Sequence, residues 1–445
     1  MSRIKTFKGG IHPAHDGKEL TCNMPITEAP LLEKYYVLFS ENAGKAPRPT
    51  AAVGDKVKKY QLLAEADGFV SANLHSPTSG EITAIVELPG ATGVPDKAFE
   101  ITADGKDHGE VPFAPVSDWK NADSAVIMER IREAGIVGMG GAAFPSHVKL
   151  TVPPGKNVDT LIINGAECEP YLTADHRLMV EFPEKVLCGA AIMAKMLNVA
   201  NVFVGIENNK RDAIASLESL APEYGIKVIP LQVRYPQGAE KQLIKAITDR
   251  TVPSGGLPAD AGCIVQNAGS SAAVYEAVVL GIPLIERIVT VTGEVVKNPG
   301  NFKLKIGTPV IEAVKMAGGI TEEPGKLILG GPMMGFSQKS FDVPVAKNTS
   351  GILLLPVDKA LNFASSPCIR CARCVEACPM NLMPCLLCAD VEGNRFDLAQ
   401  SDHVMDCLEC GACAYVCPSH RPLVQLLRRA KAEVRKAKNK GTVQK

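Results

Sequence analysis

Hydrophobic and polar residues change their periodicity along the chain, and each periodicity predicts a different architecture. Between about residues 121 and 284, short apolar runs alternate with segments whose apolar residues recur at helical spacing. The runs predict strands and the segments predict helices. Strands that alternate with helices indicate a mostly parallel sheet covered on both faces. The predicted strands span 160–164, 201–207 and 226–229, and the predicted helices span 123–134, 183–197 and 210–220.

The regions on either side have β-type patterns. Residues 1–120 contain short β-prone runs broken by glycine and proline. The segments 53–64 and 74–82 resemble the two halves of a lipoyl/biotinyl-type barrel-sandwich domain. The hairpin between them has no lysine, so we expect a structural or docking role and not a carrier role. Residues 285–352 combine strands with a helix predicted at 310–317, which suggests a β-grasp module of the SLBB-like kind.

The C-terminal region carries two copies of one cysteine pattern, C-x2-C-x2-C-x3-C-P. This spacing is that of [4Fe–4S] ligands in two-cluster ferredoxins, in which the fourth cysteine of each run binds the other cluster. Zinc sites normally use two separated pairs, and disulfides belong to oxidising compartments. We therefore predict two clusters with these ligands: Cys368, Cys371, Cys374 and Cys417 for one, and Cys407, Cys410, Cys413 and Cys378 for the other.

The linker between the two copies, residues 381–406, is long enough for a helix and a turn. We therefore predict a helical ferredoxin-like domain over 353–425. Cys385 and Cys388 lie in this linker. Two ligands do not make a third metal site, so we interpret both as buried apolar residues on a connecting helix.

Composition narrows the class of protein. The chain has 445 residues, and its 48 basic and 48 acidic residues cancel, so bulk charge gives no sign of nucleic-acid binding. It contains no run of eighteen uncharged apolar residues, which predicts that no segment spans a membrane. The basic, helix-prone tail 426–445 is typical of a solvated helix end, although such a segment could also lie near anionic lipid headgroups.

A glycine-rich loop and a polar strand end are the candidates for a nucleotide site in the α/β region. Gly138-x-Gly140-Gly141 precedes a predicted helix, where backbone N–H groups could approach a phosphate. Tight turns also use glycines freely, and the pattern is not the Rossmann fingerprint. Glu167 and Glu169 follow the predicted strand end at Asn164. Their carboxylates could bind ribose or ring nitrogens, or could cap a helix.

The order of these segments resembles a known family. The segments 138–149, 164–177 and 235–240 and the β-grasp region follow the order of the flavin- and NADH-binding subunit of respiratory complex I, over roughly residues 130–345. With the barrel-sandwich region and the double cysteine run, nearly the whole chain resembles the C subunits of Rnf ion-translocating electron-transport complexes. By position, the resemblance implies an FMN and NADH pocket lined by Gly138, Gly140, Gly141, Ala142, Phe144, Lys149, Asn164, Glu167, Glu169, Tyr235, Gly238, Glu240 and Asn267.

The chain departs from the complex I pattern in several places. Met139 stands where an arginine is usual, Ala143 where a glycine is usual, and Ala166 where an aspartate is usual. These departures bear on individual flavin contacts and do not exclude the pocket. The flavin-binding protein of complex I has one C-terminal cluster, whereas two are predicted here.

The resemblance implies a peripheral subunit on the cytoplasmic face of the bacterial inner membrane, held there by the other Rnf subunits. It would exchange electrons between NAD(H) and the complex through FMN and two [4Fe–4S] clusters. Two alternatives remain open from the residues: an adaptor that holds clusters alone and uses the α/β region as a scaffold, and a flavin–iron–sulfur oxidoreductase unrelated to membranes. The predicted domains are 1–120, 121–284, 285–352 and 353–425, followed by the tail.

Overall fold

The computed structural model describes residues 4–360 and 364–443, with side chains to residue 437. Residues 361–363, at the start of the predicted cysteine-rich domain, and the end of the predicted basic tail lie outside the described residues. The strands are β1 (Ile26–Glu28), β2 (Lys34–Leu38), β3 (Arg48–Pro49), β4 (Lys56–Val57), β5 (Leu62–Glu65), β6 (Leu74–His75), β7 (Gly80–Pro89), β8 (Pro95–Ala103), β9 (Thr160–Gly165), β10 (Asn201–Glu207), β11 (Lys227–Leu231), β12 (Cys263–Asn267), β13 (Glu286–Thr292), β14 (Gly300–Lys305), β15 (Lys326–Leu329), β16 (Phe336–Gln338) and β17 (Gly351–Leu355).

Thirteen α-helices and four short 3-10 helices accompany these strands in the described residues. The 3-10 helices are Lys18–Leu20, Ala221–Tyr224, Pro258–Ala261 and Val404–Asp406. The α-helices are α1 (Ser124–Glu133), α2 (Ser146–Leu150), α3 (Ala174–Glu181), α4 (Pro183–Leu197), α5 (Arg211–Leu220), α6 (Glu240–Thr248), α7 (Ala268–Val279), α8 (Val310–Met316), α9 (Arg373–Glu376), α10 (Pro384–Glu392), α11 (Phe396–Ser401), α12 (Ala412–Tyr415) and α13 (Leu423–Val443).

A parallel four-stranded sheet forms the centre of the α/β region. Its strand order is β11-β10-β9-β12, and every neighbouring pair is parallel. Successive residues of β9 face opposite sides, as the pleat requires. Leu161 and Ile163 join the core formed with α1, α4, α5 and α7, whereas Ile162 joins the core formed with α6. The predicted parallel sheet, covered on both faces, is confirmed.

The chain order of the sheet creates a crevice at one edge. From β9 the chain moves outward to β10 and β11, and it then returns to place β12 on the other side of β9. The direction in which strands are added to the sheet therefore reverses between β9 and β12. In open α/β sheets, ligands bind beside such a reversal, at the carboxyl ends of the strands. Asn164 and Asn267, paired across β9 and β12, lie at this place.

The barrel-sandwich region is built from two small sheets, β2-β8-β7-β4 and β3-β5-β6. Buried apolar side chains of both sheets form its core, among them Val37, Leu63 and Phe99. The connection from β5 to β6 is the hairpin that the sequence predicts to lack a lysine, and the non-carrier role stays a prediction.

The β-grasp module has a six-stranded sheet with the order β1-β14-β13-β17-β15-β16. Helix α8 supplies Val310 and Val314 to its core. Strand β1 belongs to this sheet and pairs in parallel with β14, although the prediction groups residues 1–120 with the barrel-sandwich region. A three-residue edge strand is too short for its residue pattern to reveal its partner.

The cysteine-rich domain is helical, and its linker forms two helices, α10 and α11, where the sequence predicts a helix and a turn. Cys385 and Cys388 lie on α10, as predicted. Cys388 is buried and agrees with the interpretation as an apolar residue, whereas Cys385 is half-buried.

Lys347 is a buried cation at the junction of three domains. Its ammonium Nζ donates to the carbonyl oxygens of Asn73 and Gly135, at 2.7 and 2.8 Å, and its backbone N–H donates to the carboxylate of Glu41 at 2.6 Å. Burial lowers the pKa of Lys347 to about 8 and raises the pKa of Glu41 to about 7. Each charge is therefore held in the interior by the other and by these hydrogen bonds.

Replacing Lys347 should loosen this junction. Lys347→Met removes the cation near Glu41 and leaves two carbonyl oxygens without a donor in the interior, although the backbone N–H of residue 347 still donates to Glu41. This change should cost about 3 kcal/mol of stability. We expect a clear fall in the thermal-unfolding midpoint, measured by calorimetry. Lys359→Met, which removes a cation from the more exposed ion pair with Glu294, is the control and should cost less than about 1 kcal/mol. Equal falls in the two variants would contradict this role for Lys347.

Candidate functional site

Several residues predicted for the cofactor pocket contact one another at the carboxyl edge of the parallel sheet. Asn164 Nδ2 donates to the carbonyl oxygen of Gly238 at 2.8 Å, and Asn164 lies beside Asn267 across the paired strands. A Cβ atom on Gly140 would lie 2.8 Å from Asn267 Nδ2. Lys149 on α2 forms an ion pair of 2.5 Å with Glu240 at the start of α6.

The glycine loop, residues 138–144, forms one wall of this edge. The N–H of Gly138 donates to the carbonyl oxygen of Phe144 at 2.8 Å and closes the loop. Gly140, Gly141, Ala142 and Phe144 are exposed, and a Cβ atom on Gly141 would meet nothing within 4 Å. The loop therefore presents open backbone to solvent at Gly141, while Gly140 lies against Asn267. Ala143 stands where a glycine is usual in complex I. It adopts a left-handed conformation with φ 53° and is buried, so the loop holds an alanine at this position.

Residues of other domains hold the glycine loop in place. Arg287 of the β-grasp module donates to the carbonyl oxygen of Met139 at 3.3 Å, and Asn348 donates to that of Gly141 at 3.2 Å. On the barrel-sandwich side, the N–H of Ala43 donates to the carbonyl oxygen of Ala143 at 3.0 Å. The side chain of Met139 is buried in the hydrophobic core of the α/β region.

The acidic loop, residues 166–172, forms the opposite wall, and Glu167 acts in it as a helix cap. Its two carboxylate oxygens accept from the N–H groups of Asp175 and His176, at 2.8 and 3.1 Å. The capping alternative is therefore the one that the structure shows. Asn267 also caps a helix, since its Oδ1 accepts from the N–H groups of Gly269 and Ser270 at the start of α7.

A buried lysine from the N-terminal segment supports the acidic loop from behind. Lys18 Nζ donates to the carbonyl oxygens of Glu167 and Glu169, at 2.9 and 2.8 Å, and also to that of Leu172. Burial lowers the pKa of Lys18. Sequence reasoning did not find this residue, because nothing in the residues around position 18 signals a contact with a loop about 150 residues away.

Glu169 and Tyr235 connect the acidic loop with the cysteine-rich domain. Glu169 Oε2 accepts from the N–H of Met333 at 3.1 Å, and the Tyr235 hydroxyl lies 3.4 Å from Glu169 Oε1. The same hydroxyl donates to the carbonyl oxygen of Cys410 at 2.6 Å. Burial raises the pKa of Glu169 to about 7.

The eight predicted cluster cysteines line two separate cavities. The inner cysteine set consists of Cys378, Cys407, Cys410 and Cys413, which share one cavity beside the α/β region. The outer cysteine set consists of Cys368, Cys371, Cys374 and Cys417, which share the other. This grouping is the one that the spacing predicts, with each fourth cysteine reaching the opposite set. Cys368 and Cys371 are exposed, so the outer cysteine set is the more exposed of the two.

Cys385 also lines the outer cavity, which the sequence did not anticipate. It lies on α10, the helix that packs against α13 behind both sets. As a fifth cysteine at that cavity, it is a neighbour of the outer cysteine set.

The crevice has the features that FMN requires. A phosphate and an isoalloxazine ring need close approach to the backbone and several fixed polar groups. The glycine loop supplies the first, with open space at Gly141. Asn164 and Asn267 at the strand ends supply fixed polar groups. Elsewhere among the described residues, the buried Gln237 and Gln266 have side-chain nitrogen and oxygen atoms with no hydrogen-bond partner. Both residues directly adjoin predicted pocket residues, Gly238 and Asn267, and buried polar groups are normally satisfied by some partner.

Four family models match the chain, in the predicted order. They are the RnfC barrel sandwich hybrid domain over residues 5–106, the Nuo51 FMN-binding domain over 131–276, the SLBB domain over 288–337 and the 4Fe-4S dicluster domain over 360–418. The predicted fold class is confirmed by these matches. The matches to the FMN-binding domain and to the 4Fe-4S dicluster domain agree with the predicted cofactors, FMN and two [4Fe–4S] clusters.

Similarity to curated proteins extends over nearly the whole chain. The C subunit of the proton-translocating ferredoxin:NAD(+) oxidoreductase complex of Clostridium ljungdahlii is 46% identical, and the match covers 98% of this chain and 95% of the relative. The chain belongs to the family of C subunits of ion-translocating oxidoreductase complexes. Its relative from the Na(+)-translocating complex of Acetobacterium woodii is 44% identical, covering 98% of each chain. The relative from Pseudomonas aeruginosa is 42% identical, and the match covers 57% of that protein.

A solved structure supports the fold of this C subunit. A chain of the NAD+-reducing [NiFe]-hydrogenase in the H2-reduced state matches with a TM-score of 0.51 and 17% identity, covering 72% of this chain and 65% of that one. At that identity the likeness concerns the fold. Within the part of the C subunit that the structure describes, no helix is both long and apolar enough to cross a membrane.

The raised pKa of Glu169 makes a testable difference to stability. A carboxyl group whose pKa rises on folding holds its proton longer in the folded state, so stability falls as pH rises from about 4.5 to 7. Glu169→Gln removes this loss and can still accept from the Met333 N–H. The thermal midpoint of the variant minus that of the wild type should therefore increase over this range, by on the order of 3 °C, and level off above about pH 8.

The control is Glu312→Gln on helix α8, for which the same difference should stay flat between about pH 4.5 and 8. A flat difference for Glu169→Gln as well would show that Glu169 is not held in a buried environment.

Proposed function

We propose that this C subunit exchanges electrons between NAD(H) and an ion-translocating membrane complex, through FMN and two [4Fe–4S] clusters. The observation that carries the proposal is the placement of the parts. The crevice at the carboxyl edge of the sheet is joined directly to the inner cysteine set by Tyr235. A flavin takes two electrons from a nicotinamide and passes them singly to iron–sulfur clusters, so these two sites need to be neighbours.

The residues around the crevice have distinct tasks in this proposal. Gly138, Gly140 and Gly141 let the backbone approach the phosphate and the ring of FMN. Asn164 and Gly238, bonded to each other, fix the floor of the crevice at the end of β9. Four further residues position the surrounding helices, because each already has a protein partner. Glu167 caps α3, Asn267 caps α7, and the ion pair between Lys149 and Glu240 joins α2 with α6. Ala142 and Phe144 form the exposed rim, against which NADH would lie.

The two cysteine sets would bind the clusters in a defined order. The inner cysteine set contacts Tyr235 and lies mostly buried, so we place its cluster next to the flavin. The outer cysteine set includes the exposed Cys368 and Cys371, so we place its cluster at the exit toward the complex. Burial raises the pKa of the Cys410 thiol to about 11 in the chain alone, and ligation to iron is what would stabilise a thiolate in that position.

The partners in this proposal follow from the relatives. The curated relatives are subunits of ferredoxin:NAD(+) oxidoreductase complexes. We therefore infer that the other subunits of an Rnf complex hold this chain peripherally at the cytoplasmic face of the bacterial inner membrane. Pure protein that contains FMN and oxidises NADH with ferricyanide would support the proposal. Protein that holds clusters and no flavin would instead support the adaptor alternative.

Iron content tests the assignment of the cysteines. The wild-type chain should contain about eight irons, from two cubanes. Cys407→Ser should remove or weaken the inner cluster and Cys368→Ser the outer one, each lowering iron toward about half. Cys385→Ser is the matched control beside the outer cavity and should leave both clusters present. Iron assays and electron paramagnetic resonance give the result. Unchanged iron in Cys407→Ser would refute the inner assignment.

Nucleotide preference tests the place of the nicotinamide. We expect NADH to be preferred over NADPH, because a charged Glu169 would repel a 2′-phosphate in a partly desolvated crevice. Since the pKa of Glu169 is raised to about 7, its charge and this preference should grow between about pH 6 and 8. The ratio of kcat/KM for the two nucleotides, measured with ferricyanide, should rise by on the order of tenfold.

Glu169→Gln is the corresponding variant, and it should retain FMN and both clusters while the ratio becomes smaller and flatter across this pH range. The same ratio in variant and wild type would place the nicotinamide elsewhere.

A further inference from the structure

A large cleft lies outside the site described above, between three parts of the chain. It encloses about 1310 Å³. One wall is the N-terminal segment 4–9, the second is α6 with the loop that follows it, and the third is the segment 379–381 of the cysteine-rich domain. A site for a small molecule usually measures about 300–1,000 Å³. The size and open walls of this cleft suit a protruding segment of a protein better.

The cleft has a surplus of positive charge. Five lysine or arginine residues and two aspartates line it. Asp249 pairs with Lys245 at 3.2 Å and Asp406 with Lys241 at 3.7 Å, so the lining keeps a formal surplus of three positive charges. Lys8 is exposed at the N-terminal wall. A lining of this kind attracts an acidic partner and repels a basic one.

Two polar atoms at the cleft lack partners. Gln242 is 5% exposed, and its Nε2 donates to the carbonyl oxygen of Pro379 at 3.1 Å. Its Oε1 has no hydrogen-bond partner among the described residues, and neither has Thr6 Oγ1. Both atoms can accept a hydrogen bond, but both are themselves buried, so they lie behind the lining and not at the surface of the cleft.

The N-terminal wall offers an extended backbone as well. Lys5 pairs in parallel with Leu231 at the end of the edge strand β11, and its carbonyl oxygen accepts from the N–H of Gln232 at 2.9 Å. Lys5 thus adds one bridge to the sheet beyond β11, and it lines the cleft together with its neighbours in residues 4–9. An extended segment at a sheet edge is a common seat for a peptide of another chain.

We propose that this cleft binds an acidic, extended segment of another subunit of the complex. The inference rests on the proposed function, because it takes the partner from the complex. Binding there would have a consequence for the cluster domain: Pro379 and Met380 line both this cleft and the inner cavity. The bound segment would therefore clamp the cysteine-rich domain against α6, and so hold the inner cysteine set in place.

A photo-crosslinker placed in the cleft tests the proposal on the intact complex. Thr251 is exposed and lines the cleft, and it is replaced with p-benzoyl-phenylalanine. After irradiation of the purified complex, mass spectrometry should find one crosslinked peptide from another subunit, rich in aspartate and glutamate. The same replacement at Ala52, on the barrel-sandwich domain, should not label that peptide. Crosslinks from Thr251 to a neutral or basic segment, or to no other subunit, would overturn the proposal.

Charge reversal gives an independent test of the docking proposal. Lys8→Glu with Lys245→Glu should weaken retention of the chain on the complex about tenfold at low salt, whereas Lys56→Glu with Lys58→Glu, which changes net charge equally, should not. Equal retention in both double variants would contradict the docking role. Saturable binding of inorganic pyrophosphate to the wild type, lost in Lys8→Glu with Lys245→Glu, would replace it with a small-anion site.

Oxidation of NADH with ferricyanide separates this proposal from the proposed function. The free chain with Lys8→Glu and Lys245→Glu should retain that activity, because neither residue touches the crevice. Absence of the predicted crosslink from Thr251, in a complex whose C subunit oxidises NADH fully, would sink the docking proposal alone. Absence of the activity in the wild-type chain would sink the proposed function.

Discussion

The arrangement of this protein depends on the buried hydroxyl of Tyr235. A phenol in an apolar interior needs a hydrogen-bond partner, and Tyr235 finds it in the carbonyl oxygen of Cys410. Its backbone also exchanges two hydrogen bonds with Ile11, and its ring packs with Ile11, Ala377 and Ala412. One residue, through its side chain and its backbone, therefore joins the α/β region, the N-terminal segment and the cysteine-rich domain. An electron relay needs such a fixed arrangement, because its centres must stay close together.

The second constraint is that the crevice is completed from outside its own domain. The sheet supplies the polar strand ends, yet Arg287 and Asn348 of the β-grasp module and Lys18 of the N-terminal segment hold the loops that face them. Lys347 of the β-grasp module joins the barrel-sandwich domain to the α/β region, because its ammonium group donates to a carbonyl oxygen of each. Isolated loops rich in glycine would otherwise lose order, since glycine has the greatest backbone freedom to lose. The neighbouring domains therefore form part of the cofactor site.

Local patterns predicted the secondary structure well and the contacts between distant residues poorly. The central strands and helices were readable because apolar periodicity is a local property, and the grouping of the cysteines was readable because ligand spacing is also local. The contacts of Lys18 and Tyr235 join residues far apart in the chain, and no local pattern records them. Glu167 shows the same limit in another form. A glutamate can cap a helix or bind a ligand. Glu167 caps α3, because the folded chain places the first N–H groups of that helix beside its carboxylate.

The most direct test of this account is the order in which NADH reduces the two clusters. In the stopped-flow spectrometer, Cys368→Ser protein, which lacks the outer cluster, should reduce its remaining cluster with NADH as fast as the wild type reduces its first. Cys407→Ser protein, which lacks the inner cluster, should reduce the outer one at least about a hundredfold more slowly, because the link beside Tyr235 is gone. Fast reduction of the outer cluster without the inner one would contradict the central claim that electrons pass from the crevice to the inner cysteine set.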